Sequence, residues 1–208
     1  MPALSPEKLL ERLARGKPIA GVLLLGADLY LRDLCRAKLV EAYVPEGSRE
    51  WGVAHFSAAE DSLGRILAQA QTLPMLAPRQ VIFVQDVEAL ENVGEQVEKA
   101  ALERLAAYLD DAALFTVLVF EATALDQRKK LFKTLNEKTL VVSVALDKEP
   151  EDREAAAAMT ALHMARELGI ELTRDAADEL AASCNGDLAR IRNELVKLAT
   201  YAGDGRQI

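Results

Sequence analysis

Residues 19–33, Ile19-Ala20-Gly21-Val22-Leu23-Leu24-Leu25-Gly26-Ala27-Asp28-Leu29-Tyr30-Leu31-Arg32-Asp33, read as a short apolar strand that turns at Gly26 into a helix. A strand apolar on both faces suits the interior of a parallel sheet. A strand–glycine–helix step is also where a P-loop would wrap phosphates with backbone N–H groups, reach them with a Lys and hold magnesium with a hydroxyl. If Gly26 starts that motif, the second glycine's position holds Leu31, the lysine's holds Arg32 and the hydroxyl's holds Asp33. Leucine obstructs close backbone approach, and a carboxylate about 4 Å from a phosphate charge costs roughly 1–4 kcal/mol. Starting at Gly21 is no better, because Gly26 is then followed by Ala27 and Asp28. The pattern is that of a nucleotide-binding scaffold that does not hold a nucleotide.

Outward from this stretch the chain continues as strand and helix in alternation. Ser5-Pro6-Glu7 opens a first helix with a capping hydroxyl, a proline in the first turn and an acid, and that helix ends near Gly16. A helix over 29–43 stops at Pro45-Glu46-Gly47. Strands are expected at 53–56, 80–84, 114–120 and 139–144, with helices at 61–70, 94–109 and 126–135. Alternation of this kind implies an α/β fold, a mostly parallel sheet covered by helices, while strand order stays open. After Asp147-Lys148-Glu149-Pro150 the strand signals cease, and helices over 151–168, 173–183 and 187–201 form a small three-helix domain. The expected division is therefore 1–147 and 148–208, with the turn-like tail after Gly203 suggesting the N-terminal part of a longer protein.

Composition narrows the function. The 208 residues carry 33 acids against 25 bases, a net charge of −8, which argues against nucleic-acid binding through overall basicity. Cys35 and Cys184 lack metal or redox spacing and read as reduced core thiols. No signal peptide or stretch of about 20 apolar residues is visible, so a cytoplasmic protein without membrane attachment is expected. His55 and His163 stand apart from any ligand set, and Ser57, Ser62 and Ser143 lack a nucleophile-elbow context, so no catalytic, metal or cofactor residue is assigned. Trp51, the one tryptophan, is expected to seal the sheet end, with a partner contact as the alternative, and Gln127-Arg128-Lys129-Lys130 to form a solvated helix face.

Three stretches together resemble the delta subunit family of the bacterial DNA polymerase III clamp loader. They are Leu24-Leu25-Gly26-Ala27-Asp28-Leu29-Tyr30-Leu31; the run from Ala68 through Leu73-Pro74-Met75-Leu76-Ala77-Pro78-Arg79 to Val84; and Asn185-Gly186-Asp187-Leu188 with Asn193-Glu194-Leu195-Val196-Lys197-Leu198 and Tyr201. The resemblance implies an AAA+-like sheet domain without Walker A, followed by a three-helix lid. It also implies a subunit that grips and opens the sliding clamp, with no ATPase activity and no cofactor of its own. Partners would be the clamp, the gamma or tau and delta-prime subunits, and primer-template DNA through the assembled loader. The family's C-terminal collar domain has no counterpart here.

Two other landmarks agree with a silent nucleotide site. Val81-Ile82-Phe83-Val84 is followed by Gln85-Asp86, one acid where a Walker B strand ends in two, and Asp86 reads as a turn cap; Ala189 stands where ATP-binding relatives keep a phosphate-sensing Arg. By the same resemblance Leu73, Met75 and Leu76, on a loop punctuated by Pro74 and Pro78, are the clamp-binding wedge. Alone, apolar side chains on such a loop would more often be tucked against their own sheet. Two other classes compete: an adaptor of the delta-prime type, disfavoured because neither a zinc-type cysteine cluster nor a Ser-Arg-Cys finger is present, and a small α/β nucleotide-using enzyme, disfavoured by the missing G-x-G-x-x-G and paired catalytic groups.

Overall fold

The computed structural model describes residues 3–16, 18–92, 95–145 and 150–202. They divide into two compact units, one within residues 1–27 and 31–144, the other within 28–30 and 145–208. The expected joint at Asp147 lies outside the described residues.

The first unit is a five-stranded parallel sheet: β1 (Gly21–Leu25), β2 (Val53–Ser57), β3 (Gln80–Gln85), β4 (Thr116–Ala122) and β5 (Leu140–Ser143), in the order β2-β3-β4-β1-β5. The fold is α/β, as the alternation implied. Its helices are α1 (Pro6–Ala14), α2 (Leu29–Tyr43), α3 (Arg49–Gly52), α4 (Leu63–Gln71), α5 (Glu95–Asp110) and α6 (Lys130–Lys138). Parallel strands need crossovers: α4 and α5 supply them for the neighbours β2–β3 and β3–β4, and α2 lies on the connection that carries the chain from β1 to β2 at the sheet's edge.

The side-chain period of two assigns the strands' apolar residues to two faces. Leu23, Ile82, Val84, Leu118 and Phe120 form a buried cluster with Ile66, Leu67, Leu105, Leu131 and Leu135 from α4, α5 and α6. The intervening Val22, Leu24, Val81, Phe83, Val117 and Val119 are buried as well, on the side of α2, whose Arg36 guanidinium lies 5.6 Å from the Phe83 ring centre. Continuous burial along β4, Glu121 included, is what a central parallel strand requires.

Several local details differ from the sequence reading. Ser5 makes no side-chain cap bond to α1, whereas Ser62 does cap α4, accepting from the Arg65 N–H at 3.3 Å. β4 begins at Thr116 rather than Leu114, which lies outside the strand and is 85 % exposed. Trp51 does not seal the sheet: it is mainly exposed on the single turn of α3, and Gly52 takes the buried position. A Cβ at Gly52 would meet Val44 Cγ1 at 2.5 Å and the Arg79 carbonyl at 3.0 Å, so only glycine fits there without a shift.

The second unit holds α7 (Pro150–Glu167), α8 (Arg174–Ser183) and α9 (Leu188–Ala202). Its interior is built largely from small side chains, Ala157, Ala158, Ala161, Ala165, Ala177 and Ala181, with Leu188, Ile191 and Leu195 from α9. Thr173 caps α8 through the Ala176 N–H, and Asn185 (φ 52°) and Gly186 (φ 69°) make the left-handed turn into α9.

Candidate functional site

In a parallel α/β sheet, ligands enter beyond the carboxyl ends of the strands. At that edge β1 ends in Gly26, whose φ of 142° is a conformation side chains rarely adopt. The first turns of α2 then place Arg32 so that its guanidinium donates to the Gly26 carbonyl. Leu31 is buried at the start of the helix. One turn on, Arg36 makes a bidentate ion pair with Glu121 of β4, whose side chain is 1 % exposed, and also reaches Asp33 at 3.3 Å. The paired carboxylate holds the Arg36 guanidinium pKa above its ordinary value. Two parallel N–H···O bonds of this kind fix the arginine's orientation against the sheet.

The turn after β1 uses its own cations, although the buried Arg32 Nε is left without a partner. A cation donates to the carbonyl of its one glycine, and the next cation is committed to an acid of the same sheet. Asp86, after β3, does not act as a side-chain cap. Its carboxylate accepts the Ser57 hydroxyl at 2.7 Å, its own carbonyl receives the Ala89 N–H, and its φ of 55° is one that aspartate tolerates.

The opposite, amino-terminal edge of the sheet carries the apolar loop between α4 and β3. Leu73 is 65 % exposed, Met75 96 % and Leu76 60 %. Three large apolar side chains within four residues are left mainly to solvent. The loop is nevertheless fastened at both ends. Its second half is held by Ala77, which is buried and lies where a Gly52 side chain would touch it, and by Arg79, whose guanidinium sits 5.9 Å from the Tyr43 ring centre. Its first half is held by a buried polar group: the two hydrogens of the Gln80 amide nitrogen are shared among the carbonyls of Gln69 (3.2 Å) and Thr72 (2.9 Å) and the Thr116 hydroxyl (3.0 Å).

Two residues not assigned to a site share this edge. Val53 of β2 pairs with Val81 of β3, and Gln80 with Thr116 of β4, so Trp51 and Leu114, each two residues ahead of its strand, flank the loop on either side. Both are exposed, and exposure was the one property their sequence context did not carry.

The remaining candidates stay apart. His55 is exposed and stacks on Phe83 with centroids 5.2 Å apart, and His163 is exposed on α7. Among the described residues no group of three or more His, Cys, Asp or Glu could hold a metal ion, and no helix is long and apolar enough to cross a membrane. Both cysteines are buried free thiols, and desolvation pushes Cys35 up to about 12. The basic run 127–130 is largely solvated, as expected, but only Lys130 of it is helical. Residues 127–129 precede α6, Arg128 forks onto Asp126, and Lys129 reaches back to the Glu91 carbonyl (2.9 Å) and carboxylate (3.6 Å).

With this geometry in hand, comparison with known proteins is decisive. The family described as DNA polymerase III, delta subunit, matches residues 23–145, from β1 to just beyond β5. The chain belongs to that family. It is 28 % identical over 189 residues to the DNA polymerase III subunit delta of Bacillus subtilis, an alignment covering 89 % of this chain and 53 % of the relative. It spans about half the length of that curated relative. In fold, it superposes on the Bacillus subtilis DNA clamp loader delta protein with a TM-score of 0.74 at 23 % identity, over 98 % of this chain and 59 % of the other. The Thermotoga maritima RuvB Holliday junction branch migration motor follows at 0.55 and 14 % identity, over 96 % and 63 %. The likeness to these solved structures is one of fold, which is AAA+-like. For this delta-family chain, Leu73, Met75 and Leu76 fall within the matched region, as do Gly26 and the Arg36–Glu121 pair.

Proposed function

We propose that this chain is the clamp-gripping portion of a clamp-loader delta subunit, acting in the cytoplasm during DNA replication by protein contact rather than catalysis. Leu73, Met75 and Leu76 insert into an apolar pocket of the sliding clamp, with Trp51 and Leu114 bordering the contact, and the strain of that contact helps open the ring. ATP is bound and hydrolysed elsewhere in the loader, by gamma or tau subunits, with delta-prime and primer-template DNA completing the assembly. Residues 1–147 supply the AAA+-like scaffold and 148–208 the three-helix lid.

One observation carries this reading: a delta-family chain presents three large apolar side chains together, on a loop anchored at both feet. A ready-ordered loop loses less of its burial energy to immobilisation when it binds. A silent nucleotide site is supported by the internal use of Arg32 and Arg36, which leaves the cradle's cations committed to this chain's own oxygens. The test is titration of the clamp from the same cell against the chain and against a Met75→Ala/Leu76→Ala variant. Tight binding lost in the variant is expected; equal binding by both would remove the loop from the interface.

A further inference from the structure

Gln80 and Thr116 present a puzzle of placement. Both begin central strands of the sheet, both are 2 % exposed, and an apolar residue could fill either position without needing a partner. Buried polar side chains are costly unless satisfied, so their partners show what they hold. Those partners are the orphan carbonyls at the carboxyl end of α4. The Gln80 amide nitrogen donates to the carbonyls of Gln69 and Thr72, while its oxygen faces the Gln69 amide at 3.4 Å. The Thr116 hydroxyl accepts from Gln80 and donates to the Ala70 carbonyl at 2.8 Å, on which the Tyr108 hydroxyl also converges at 3.4 Å. Thr72 itself closes the end of the helix, its hydroxyl on the Ala68 carbonyl.

A helix usually leaves its last four carbonyls to water, to a glycine turn or to a following polar group. Here three of them, those of Gln69, Ala70 and Thr72, accept side-chain donors from the sheet beneath, and Gln69 also accepts the Thr72 N–H. The Thr72 carbonyl is the last of the set, and Leu73 is the next residue. Resting on the clamp-contact reading above, we infer that Gln80 and Thr116 are positioning residues for the apolar loop: by holding the carbonyls of Gln69, Ala70 and Thr72 they set where Leu73, Met75 and Leu76 project. The two donors act as a unit, because Thr116 accepts from Gln80 before donating onward, and hydrogen bonds chained in this way polarise one another.

The test uses the 208-residue chain with Gln80→Leu and Thr116→Val, close in shape but without the donors, and Thr116→Ser as the conservative rescue. Hydrogen exchange is read over residues 68–72 and compared with the remainder of β3 and β4. The expected result is exchange about tenfold or more faster at the end of α4 in both apolar variants, with the strands unchanged and Thr116→Ser near wild type. Clamp affinity should fall by about tenfold in Gln80→Leu, and that loss should disappear when Gln80→Leu is added to Met75→Ala/Leu76→Ala, since a misplaced loop matters only if its side chains bind. Unchanged local exchange, or a loss of affinity equally large without Met75 and Leu76, would overturn the inference. Should Gln80→Leu fail to fold, the Thr116 pair decides on the same readouts. If the loop double variant alone leaves clamp affinity intact, the contact reading fails while the exchange data still judge the anchoring.

Discussion

Replacing Met75 and Leu76 together with alanine separates a binding loop from a misread core, because the two possibilities predict opposite changes in two quantities. Fully burying a large aliphatic side chain is worth about 1.5–3 kcal/mol. Met75, 96 % exposed, has almost all of that to offer a partner, and Leu76, 60 % exposed, has more than half. Their joint loss should cost clamp binding about 2.5–5 kcal/mol, which at about 1.4 kcal/mol per factor of ten is a hundredfold or more in affinity. The same substitutions should hardly alter the free chain. Met75 makes no core contact to lose, and the buried fraction of Leu76 sets its contribution at about 1 kcal/mol or less. Had these side chains been core, the pair would cost about 4–10 kcal/mol of stability.

Clamp affinity by calorimetry and thermal unfolding on the same variant decide the matter. A loss of affinity with a melting temperature within about 4 °C of wild type is expected. A large fall in melting temperature with unchanged affinity would refute the reasoning outright. If neither quantity moved, the loop would be ordinary surface, and the clamp contact would have to be sought elsewhere on the sheet.

Further outcomes follow from other parts of the structure. Calorimetry with Mg-ATP up to about 1 mM should show no binding heat, although even a site worth roughly −4 kcal/mol would register there; a micromolar isotherm would contradict the filled cradle. Arg36→Met should destabilise the chain by about 3–5 kcal/mol, since it strands the buried Glu121, and adding Glu121→Leu should recover most of that in urea unfolding; an additive pair would mean the ion pair is not coupled. Gly52→Ala should cost about 1–3 kcal/mol in thermal unfolding, because its Cβ would press on Val44 and the Arg79 carbonyl. Cys35, buried and pushed up to about 12, should resist iodoacetamide at pH 8 in the native chain and react after denaturation; labelling of native Cys35 within minutes would contradict its burial.

The sequence showed the sheet because its strands are apolar on both faces, a signal that survives without any knowledge of neighbours. It did not show where those runs stop being strand. Leu114-Phe115 looks continuous with β4 by hydropathy, yet the ladder starts at Thr116, whose side chain is spent on α4, and Leu114 is left in solvent. The sequence places Trp51 at the sheet end but not which way it faces; the buried place goes to Gly52, where Val44 and the Arg79 carbonyl leave no room for a side chain. Leu73, Met75 and Leu76 were singled out by resemblance to a family, whereas residue chemistry alone favoured tucking them in. The Arg36–Glu121 pair joins residues 85 apart in sequence, and the grip of Gln80 and Thr116 on α4 depends on which strands are neighbours. Pairings of that kind depend on sheet order, which one sequence does not specify.

That sheet order also separates the two ends of the molecule in a way that matters for mechanism. In a parallel sheet every strand points the same way, so the filled cradle at the ends of β1 and β4 and the apolar loop ahead of β3 lie on opposite edges, a strand length apart. A β-strand of five to seven residues spans about 17–23 Å, well beyond the range at which substitutions ordinarily couple. In a nucleotide-driven subunit, hydrolysis at one edge would have to be transmitted to the other. Here the carboxyl-terminal edge is tied by an internal ion pair, and the loop is set by carbonyls held within its own edge. Substitutions at Glu121 and at Met75 with Leu76 should therefore combine additively in clamp affinity, to within about 0.5 kcal/mol. A larger coupling, read from the four affinities of that cycle, would mean that the carboxyl-terminal edge is linked energetically to the loop, and the picture of a passive scaffold would give way to one of a lever.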